Sequence, residues 1–254
     1  MRNNVGERLE QLSSLGQKAV AWLIDPDEVS RWDSFYEQVA EAVSWKVDFF
    51  FLGGSLLQKD QLEELIGVIR SVTSSIPIVL FPGNNLQVSS KADAILFLSL
   101  ISGRNPELLI GQHVAIAPIL QNSGLEVLPT GYMLLDGGEK TSAHYISQTI
   151  PLPNHKPQLS VATALAGHFL GLRYFYLDAG SGAPEPVNPE IIRAIKSNIP
   201  HPLIVGGGIN SLEKAKTAWN AGADLVVVGN GVEKNKSLLQ TLSQYLETQR
   251  ILAN

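Results

Sequence analysis

The sequence predicts an α/β fold in which one domain, residues 1–254, forms a (β/α)₈ barrel of the TIM type. Short apolar runs alternate with segments of helical pattern, and runs without polar alternation are typical of parallel strands covered on both faces. The clearest unit is a strand at 202–205, a helix at 212–220 capped by Ser211, and a strand at 223–228. The length matches the roughly 250 residues of one such barrel. A doubly wound sheet is the alternative, and the barrel is preferred because three glycine-ended strands come last and consecutively.

Composition narrows the class of protein. With 19 Lys and Arg against 24 Asp and Glu the net charge is −5, and no basic block is present, which argues against nucleic-acid binding. The absence of cysteine excludes disulfides and thiolate metal sites. The first residues are polar, without a signal-peptide pattern, and no apolar run approaches the ~18 residues of a membrane span. We therefore expect a soluble cytoplasmic protein, with transient contact at a membrane surface left open.

The first half of the chain predicts four strand–helix units, of which the third is irregular. A short helix is expected first, followed by these elements: helix 7–16, strand 19–24, helix 34–43, strand 48–52, helix 60–72, strand 78–81 and strand 94–98. The third and fourth strands are separated by only about a dozen residues, which is too few for the usual crossover helix. The third outer helix is therefore predicted to be missing or degenerate. This leaves either an apolar groove on the barrel's flank or merely a shortened connection.

The second half is clear except at its start. Pro106 marks the first turn of a helix, and the fifth strand fits either Val114 to Leu120 or Gly131 to Leu135. A long polar loop with two prolines follows. The remaining expected elements are helix 158–170, strand 174–178, helix 188–197, the seventh and eighth strands, and a closing helix at 236–248.

Glycine turns follow the last three strands. They are Gly180-Ser181-Gly182, Gly206-Gly207-Gly208 and Gly229-Asn230. Bare backbone N–H groups in such turns can approach an anion, and in these barrels the phosphate site is usually built after strands seven and eight. Three turns on adjacent strands favour a phosphate site over simple loop closure, and Ser181 adds a hydroxyl donor.

Polar side chains at other strand ends are candidates for the chemistry. Asp25 ends the first strand and Ser55 follows the second, and a lone carboxylate with a hydroxyl suits Mg²⁺, which takes further ligands from substrate phosphates. The alternative for Asp25 is a capping role ahead of Pro26. Asp178, beside a glycine turn, is either a general base for a substrate hydroxyl or a turn cap. Tyr176 shares its face and either binds substrate or fills a barrel layer.

Other charged residues are less informative. Arg104 and Lys140 lie in loops of the same face and either bind a second anion or are solvated. The five histidines lack metal-ligand spacing, and neither a Ser-His-Asp arrangement nor a Walker loop is evident. No lysine lies inside a predicted strand, which argues against a Schiff-base aldolase acting on a sugar phosphate.

Eight motifs, taken in order, resemble the geranylgeranylglyceryl phosphate synthase family over almost the whole chain. They are LIDPD (23–27), GGS (53–55), FPGN (81–84), SLISGRNP (99–106), PTGY (129–132), YLDAGSG (176–182), GGG (206–208) and GN (229–230). The ordered set is specific, whereas a single motif would not be. The motif at 99–106 is similar to the branch that includes archaeal and some bacterial members.

The resemblance implies a modified TIM barrel with a loose segment in place of the third helix. It implies a prenyltransferase that joins sn-glycerol 1-phosphate to geranylgeranyl diphosphate with Mg²⁺, releasing diphosphate in the first ether-bond step of archaeal-type lipid synthesis. It also implies a homo-oligomer, a dimer or a hexamer. Asp25 and Ser55 would bind the metal. The glycerol phosphate would be held by Tyr176, Leu177, Asp178, Ala179, Gly180, Ser181, Gly182, Gly207, Gly208, Gly229 and Asn230.

The chain departs from the family pattern at two positions. It has Asp178 where the family usually has the glutamate that receives the proton of the attacking hydroxyl, and Glu28 where a lysine is usual. Because a misplacement of about 1 Å can cost on the order of 100-fold in rate, the shorter aspartate affects the expected rate more than the reaction class. The alternatives are a prenyl diphosphate of another length, or a phosphate-binding barrel that has lost catalysis.

Overall fold

The computed structural model describes residues 4–54, 61–84, 87–229, 231–232, 235 and 237–252, and in it eight parallel strands close into a barrel in chain order. The strands are β1 Ala19–Ile24, β2 Phe49–Leu52, β3 Ile78–Leu80, β4 Ala94–Leu100, β5 Glu126–Leu134, β6 Tyr174–Asp178, β7 Leu203–Gly206 and β8 Leu225–Val228. Pairing of β1 with β8 closes the ring, so the barrel is confirmed and a doubly wound sheet is excluded.

Helices cover the outside of the barrel. They are α1 Val5–Ser14, α2 Trp32–Ser44, α3 Leu62–Val72, α4 Gln112–Ser123, α5 Ser142–Ser147, α6 Pro157–Phe169, α7 Pro189–Lys196, α8 Leu212–Ala221 and α9 Ser237–Leu252. Local chemistry sets several ends: the Asn188 side chain accepts the Glu190 N–H before α7, and Gly222 ends α8 with φ of 119°. In the part of the chain that the structure describes, no helix is both long and apolar enough to cross a membrane.

The connection from β3 to β4 contains no helix in its described residues, 81–84 and 87–93, as predicted. A small cavity of about 50 Å³ occupies this flank of the barrel. Val88, Ile95, Phe97 and Ile116 are among the side chains that line it. The short connection and the apolar groove therefore occur together.

Two predictions in the second half were wrong in part. The first candidate for the fifth strand, Val114 to Leu120, lies inside α4, while β5 begins earlier than predicted, at Glu126. A short apolar run does not by itself distinguish a buried strand from a helix, and tertiary packing decides. The predicted loop after Lys140 contains α5, where Thr141 and His144 form a capping box.

The amino end of the barrel is closed by α1. Val5, Leu9 and Leu12 of this helix are buried in the cluster that fills the barrel interior. The Glu126 carboxylate accepts hydrogen bonds from the N–H groups of Val5 (2.7 Å) and Gly6 (3.0 Å), which satisfies donors that a helix N-terminus leaves free. In the described residues, α1 therefore covers the amino end of the barrel interior.

Three buried aspartates fix the strands at that closed end. Each precedes a strand and accepts the N–H of a residue at the start of the neighbouring one: Asp48 from Val20, Asp93 from Ile78, and Asp224 from Leu203. Each is paired with a cation: Asp48 with Arg250, Asp93 with Arg70, and Asp224 with Lys196. The ion pairs and hydrogen bonds of these aspartates therefore stabilise the amino end of the barrel.

Candidate active site

A cavity of about 370 Å³ opens at the carboxyl ends of the strands, within the range of small-molecule sites. Eight of the predicted site residues line it: Asp25, Tyr176, Asp178, Ser181, Gly182, Gly207, Gly208 and Gly229. Three others do not line it. Leu177 and Ala179 are buried in the cluster between strands and helices, and Gly180 takes part through its backbone. Ser55 and Asn230 lie outside the described residues.

Asp178 is held on both carboxylate oxygens. Its Oδ2 accepts the Tyr132 hydroxyl at 2.6 Å, and its Oδ1 accepts the Gly180 N–H at 2.7 Å. The residue is only 8% exposed, so the carboxylate has little freedom to rotate. Asp178 therefore caps the glycine turn, as one of the two sequence readings expected, and it also faces the cavity.

The pKa of Asp178 reflects two opposed effects. Burial raises the pKa above its usual value, while the hydrogen bonds from Tyr132 and Gly180 lower it. Burial, assisted by the Asp178 charge, raises the pKa values of Tyr132 and Tyr176 well above the ordinary value for a phenol. Both tyrosines therefore remain protonated at neutral pH and can act as hydrogen-bond donors.

An aromatic wall lies beside this carboxylate. The Phe81 and Tyr176 rings are stacked, with centroids 4.9 Å apart and planes 7° apart. The Tyr132 ring lies 6.0 Å from that of Phe81 and 5.6 Å from that of Tyr176. Aromatic faces attract positive charge, so this wall suits a reaction in which a cationic carbon develops.

The glycine turns after β6 and β7 are in direct contact with one another. Gly207 has φ of +81°, and a Cβ built on it would lie 2.6 Å from the Gly180 nitrogen and 2.7 Å from Asp178 Oδ1. Gly208, with φ of +69°, lies in the same way against Pro186 and Ala183. Only glycine fits such positions without strain, and the close approach brings backbone N–H groups of two strand ends to one place.

Asp25 lies at another part of the cavity wall. Its Oδ1 accepts the Asp27 N–H at 3.0 Å, and its carboxylate rests on Gly54, where an added Cβ would come within 2.6 Å of Oδ2. Burial raises the pKa of this carboxyl, although the bond from Asp27 lowers it. In the described ranges no Lys or Arg forms an ion pair with Asp25.

The donor set at Asp25 is compatible with Mg²⁺. Across the residues that the structure describes, no group of three or more His, Asp or Glu side chains could hold a metal ion. Mg²⁺ commonly uses one or two carboxylates, retains waters and takes substrate phosphate oxygens. A partly buried carboxylate that has no ion-pair partner among the described residues fits that pattern better than a dedicated protein cage does.

The two loop cations considered from the sequence do not reach the cavity. The guanidinium of Arg104 donates to the Gly103 carbonyl oxygen at 2.6 Å, and both Arg104 and Lys140 are exposed. Among the described residues lining the cavity, none is a lysine or an arginine, while two are aspartates. A bound anion would therefore be stabilised by backbone N–H groups and neutral polar side chains such as Ser181, by a cation that does not line the cavity, or by a metal ion.

Two residues, Tyr132 and Gln87, have contacts in the site that the sequence did not predict. Tyr132 was noted only within a motif, because the limits of the fifth strand were ambiguous. The structure pairs it with Tyr176 in the β5–β6 register, and this places it beside Asp178. Gln87, 3% exposed, accepts the N–H groups of Gly54 and Gly83 and donates to the Gly54 carbonyl, so it joins two loops of the site. No local pattern identifies that role.

Comparison with protein families shows which family the chain belongs to. The model of the PcrB family matches residues 15–248, which is most of the chain. The chain belongs to the PcrB family. This confirms the resemblance seen in the eight motifs, because the curated relatives are named geranylgeranylglyceryl phosphate synthase.

Two relatives show how far the similarity extends. The geranylgeranylglyceryl phosphate synthase of Spirosoma linguale is 54% identical over 228 residues, covering 90% of this PcrB-family chain and 91% of the relative. That of Pyrococcus horikoshii is 43% identical over 219 residues, covering 85% of this chain and 84% of the relative. The similarity therefore spans bacterial and archaeal proteins of comparable length.

Solved structures agree with the barrel. The (S)-3-O-geranylgeranylglyceryl phosphate synthase of Thermoplasma acidophilum, crystallised with its substrate sn-glycerol-1-phosphate, superposes with a TM-score of 0.86 at 30% identity. The alignment covers 94% of this PcrB-family chain and 97% of that one. Thiamine phosphate pyrophosphorylase from Pyrococcus furiosus, at 16% identity and a TM-score of 0.56, shares the fold alone.

Proposed function

We propose that this PcrB-family protein is a Mg²⁺-dependent prenyltransferase. It joins sn-glycerol 1-phosphate to geranylgeranyl diphosphate and yields 3-O-(geranylgeranyl)glyceryl phosphate and diphosphate. The names of its relatives support the reaction class, and the crystallised relative with sn-glycerol-1-phosphate supports the acceptor. Homo-oligomerisation as a dimer or hexamer is part of the same proposal and is measurable by analytical ultracentrifugation.

The observation that carries the proposal is the position of Asp178. Its carboxylate caps one glycine turn, lies 2.7 Å from where a Cβ of Gly207 would be, and faces the cavity. A phosphate bound at these turns brings the attached glycerol hydroxyls within the same cavity as the carboxylate. Asp25 lines that cavity too, so acceptor, base and diphosphate site share one space.

The glycine turns are the proposed phosphate site. The N–H groups of Gly182, Gly207, Gly208 and Gly229, together with the Ser181 hydroxyl, offer donors to the phosphate oxygens. Backbone donors fixed by packed turns need no reorganisation when the anion binds, and they orient the acceptor for attack. Asn230, which lies outside the described residues, is expected to contribute on the ground of the sequence alone.

Asp178 is the proposed general base. It takes the proton from the attacking hydroxyl as the new C–O bond forms and the C–O bond to diphosphate breaks. The hydrogen bonds from Tyr132 and Gly180 keep part of its charge stabilised, while burial maintains its basicity by raising its pKa. Tyr176 lines the site next to it and is available to donate to the acceptor.

The donor substrate is proposed to lie across the aromatic wall. The rings of Phe81, Tyr132 and Tyr176 face the cavity, where they would stabilise positive charge developing on the allylic carbon. Mg²⁺ held through Asp25, with Ser55 expected as a second ligand, would neutralise the diphosphate and favour its departure. The prenyl tail is assigned to the flank cavity, which shares Pro82, Leu98, Gln112 and His113 with the main one.

The first experiment is turnover of radiolabelled sn-glycerol 1-phosphate with a series of prenyl diphosphates, with and without Mg²⁺. An organic-soluble product that forms only with Mg²⁺ is the expected result, with the geranylgeranyl donor giving the highest kcat/KM. Preference for a donor of another length would change the substrate but keep the reaction. Tight binding of glycerol phosphate without product from any donor would indicate a barrel that has lost catalysis.

The role of Asp178 is tested by Asp178→Asn. Turnover should fall by about two to four orders of magnitude, the usual contribution of a general base, while calorimetric binding of sn-glycerol 1-phosphate persists. Because burial raises the pKa of this carboxyl, its ionised form disfavours folding at pH 7, so the variant should unfold at no lower temperature than the wild type. An unchanged rate would exclude Asp178 as the base.

A further inference from the structure

We propose that Lys214 is a positioning residue for the phosphate site. It joins the segment after β6 to the glycine turn after β7, and it supplies positive charge that the described residues of the cavity lining lack. The inference rests on the proposed function in one respect, since the anion is taken to be the phosphate of sn-glycerol 1-phosphate. It concerns affinity for that phosphate and does not concern the prenyl donor.

The contacts of Lys214 identify the two turns. Its ammonium Nζ donates to the Gly208 carbonyl oxygen at 3.1 Å and to the Pro184 carbonyl oxygen at 3.3 Å. Gly208 belongs to the turn after β7, and Pro184 follows the turn after β6. Gly208 also packs directly against the backbone of Ala183 and Pro186, so the ammonium bridges two segments that already touch.

The position of Lys214 in its helix points to the same role. It lies in the first turn of α8, where the Ser211 side chain caps the helix by accepting the Lys214 N–H at 3.3 Å. Positive charge in a first turn opposes the helix dipole, so intrinsic helix preference does not favour a lysine there. The two carbonyl contacts compensate for that unfavourable position, and a phosphate bound nearby would add to the compensation.

The charge of the cavity makes such a cation useful. Of the described residues that line it, Asp25 and Asp178 are acidic and none is a lysine or an arginine. A phosphate entering beside Asp178 therefore meets negative charge. The ammonium on the Gly208 carbonyl counteracts that charge and polarises the adjoining peptide group, whose N–H belongs to the cavity-lining Ile209.

The experiment measures calorimetric binding of sn-glycerol 1-phosphate, and of inorganic phosphate, to the full chain without a prenyl donor. Lys214→Met retains the length of the aliphatic chain and removes the charge, and Lys214→Arg keeps the charge. Lys216→Met is the matched control, because it changes the net charge equally in the same helix, where Nζ lies 5.2 Å from the Tyr245 ring centroid. Thermal unfolding of each variant reports its stability separately.

The expected result is an approximately tenfold higher Kd for sn-glycerol 1-phosphate in Lys214→Met, within the range of charge-assisted hydrogen bonds. Lys214→Arg should stay within about threefold of wild type, and Lys216→Met should not change Kd. Because screening by salt weakens charge interactions, the difference between wild type and Lys214→Met should shrink as salt rises. In turnover, KM for the acceptor should rise with little change in kcat.

Two outcomes overturn the inference. A lower unfolding temperature for Lys214→Met with unchanged Kd would make the lysine a structural tie alone. Equal losses in Lys214→Met and Lys216→Met would show an effect of net charge without a role for position. Failure of the proposed function is distinguishable, because a wild type that binds sn-glycerol 1-phosphate but forms no ether product loses the reaction while the Lys214 comparison remains valid.

Discussion

Tyr132→Phe is the substitution that most directly tests the electrostatics of the site. It removes one hydroxyl, which donates to Asp178 Oδ2 at 2.6 Å, and keeps the ring that contributes to the aromatic wall. The hydrogen bond favours the ionised carboxylate and so lowers the pKa of Asp178, against the larger effect of burial, which raises it. When the Tyr132 hydroxyl is removed, less remains to offset the effect of burial, so the pKa of Asp178 rises further.

The energetic size of the effect follows from the strength of that hydrogen bond. A hydrogen bond to a charged group contributes roughly 1.5–3 kcal/mol. Complete loss removes this stabilisation from the ionised carboxylate, so the pKa of Asp178 rises further above its usual value. The Gly180 N–H continues to hold the other carboxylate oxygen, so the carboxylate stays in place and the energetic loss is expected near the lower end of that range.

The measurement is the pH dependence of kcat with saturating substrates and Mg²⁺. A base works in its ionised form, so turnover declines as pH falls through the pKa of Asp178, and a raised pKa moves this acid limb to higher pH. Tyr132→Phe should therefore lose more activity at pH 6 than at pH 8 relative to wild type. Tyr145→Phe, at a side chain that is 84% exposed, is the control.

The reasoning would be refuted by an acid limb that stays in place or moves to lower pH in Tyr132→Phe. A uniform loss at all pH values would assign Tyr132 to substrate orientation and remove it from the control of Asp178. The Asp178→Asn variant, which cannot ionise, should show no such acid limb in its residual activity.

Three further predictions concern other parts of the barrel. Asp25→Asn should raise the Mg²⁺ concentration for half-maximal turnover at least tenfold while calorimetric binding of sn-glycerol 1-phosphate stays unchanged; equal sensitivity to Mg²⁺ would remove Asp25 from the metal site. Gly207→Ala, which forces a Cβ to 2.6 Å from the Gly180 nitrogen at φ of +81°, should abolish measurable phosphate binding and lower the free energy of unfolding in urea by about 1–3 kcal/mol. Asp48→Ala leaves the partly buried Arg250 without its carboxylate partner and should lower the free energy of unfolding in urea by roughly 3 kcal/mol. The kcat per folded molecule should be retained, because this ion pair lies at the closed end of the barrel. A large loss of kcat would contradict the assignment of this ion pair to stability alone.

Local patterns predicted most of the fold. The apolar runs of β6, β7 and β8, the Ser211 cap of α8, and the short connection after β3 all depend on residues close together in sequence. Ambiguity arose where a short apolar run fits a helix and a strand equally, as at Val114 to Leu120, which is helical in α4. Packing on the strands decides such a segment, and packing is not a local property.

The candidate site divides in the same way. The sequence by itself determined which residues end the strands, because strand and turn signals are local, and parallel strands present all their carboxyl ends on one face. Only the tertiary structure decided what those residues touch: Tyr132 reaches Asp178 across 46 positions of the chain, and Lys214 bridges two turns. Such contacts depend on register and barrel closure, which arise when distant strands pair and are not encoded in any single stretch of sequence.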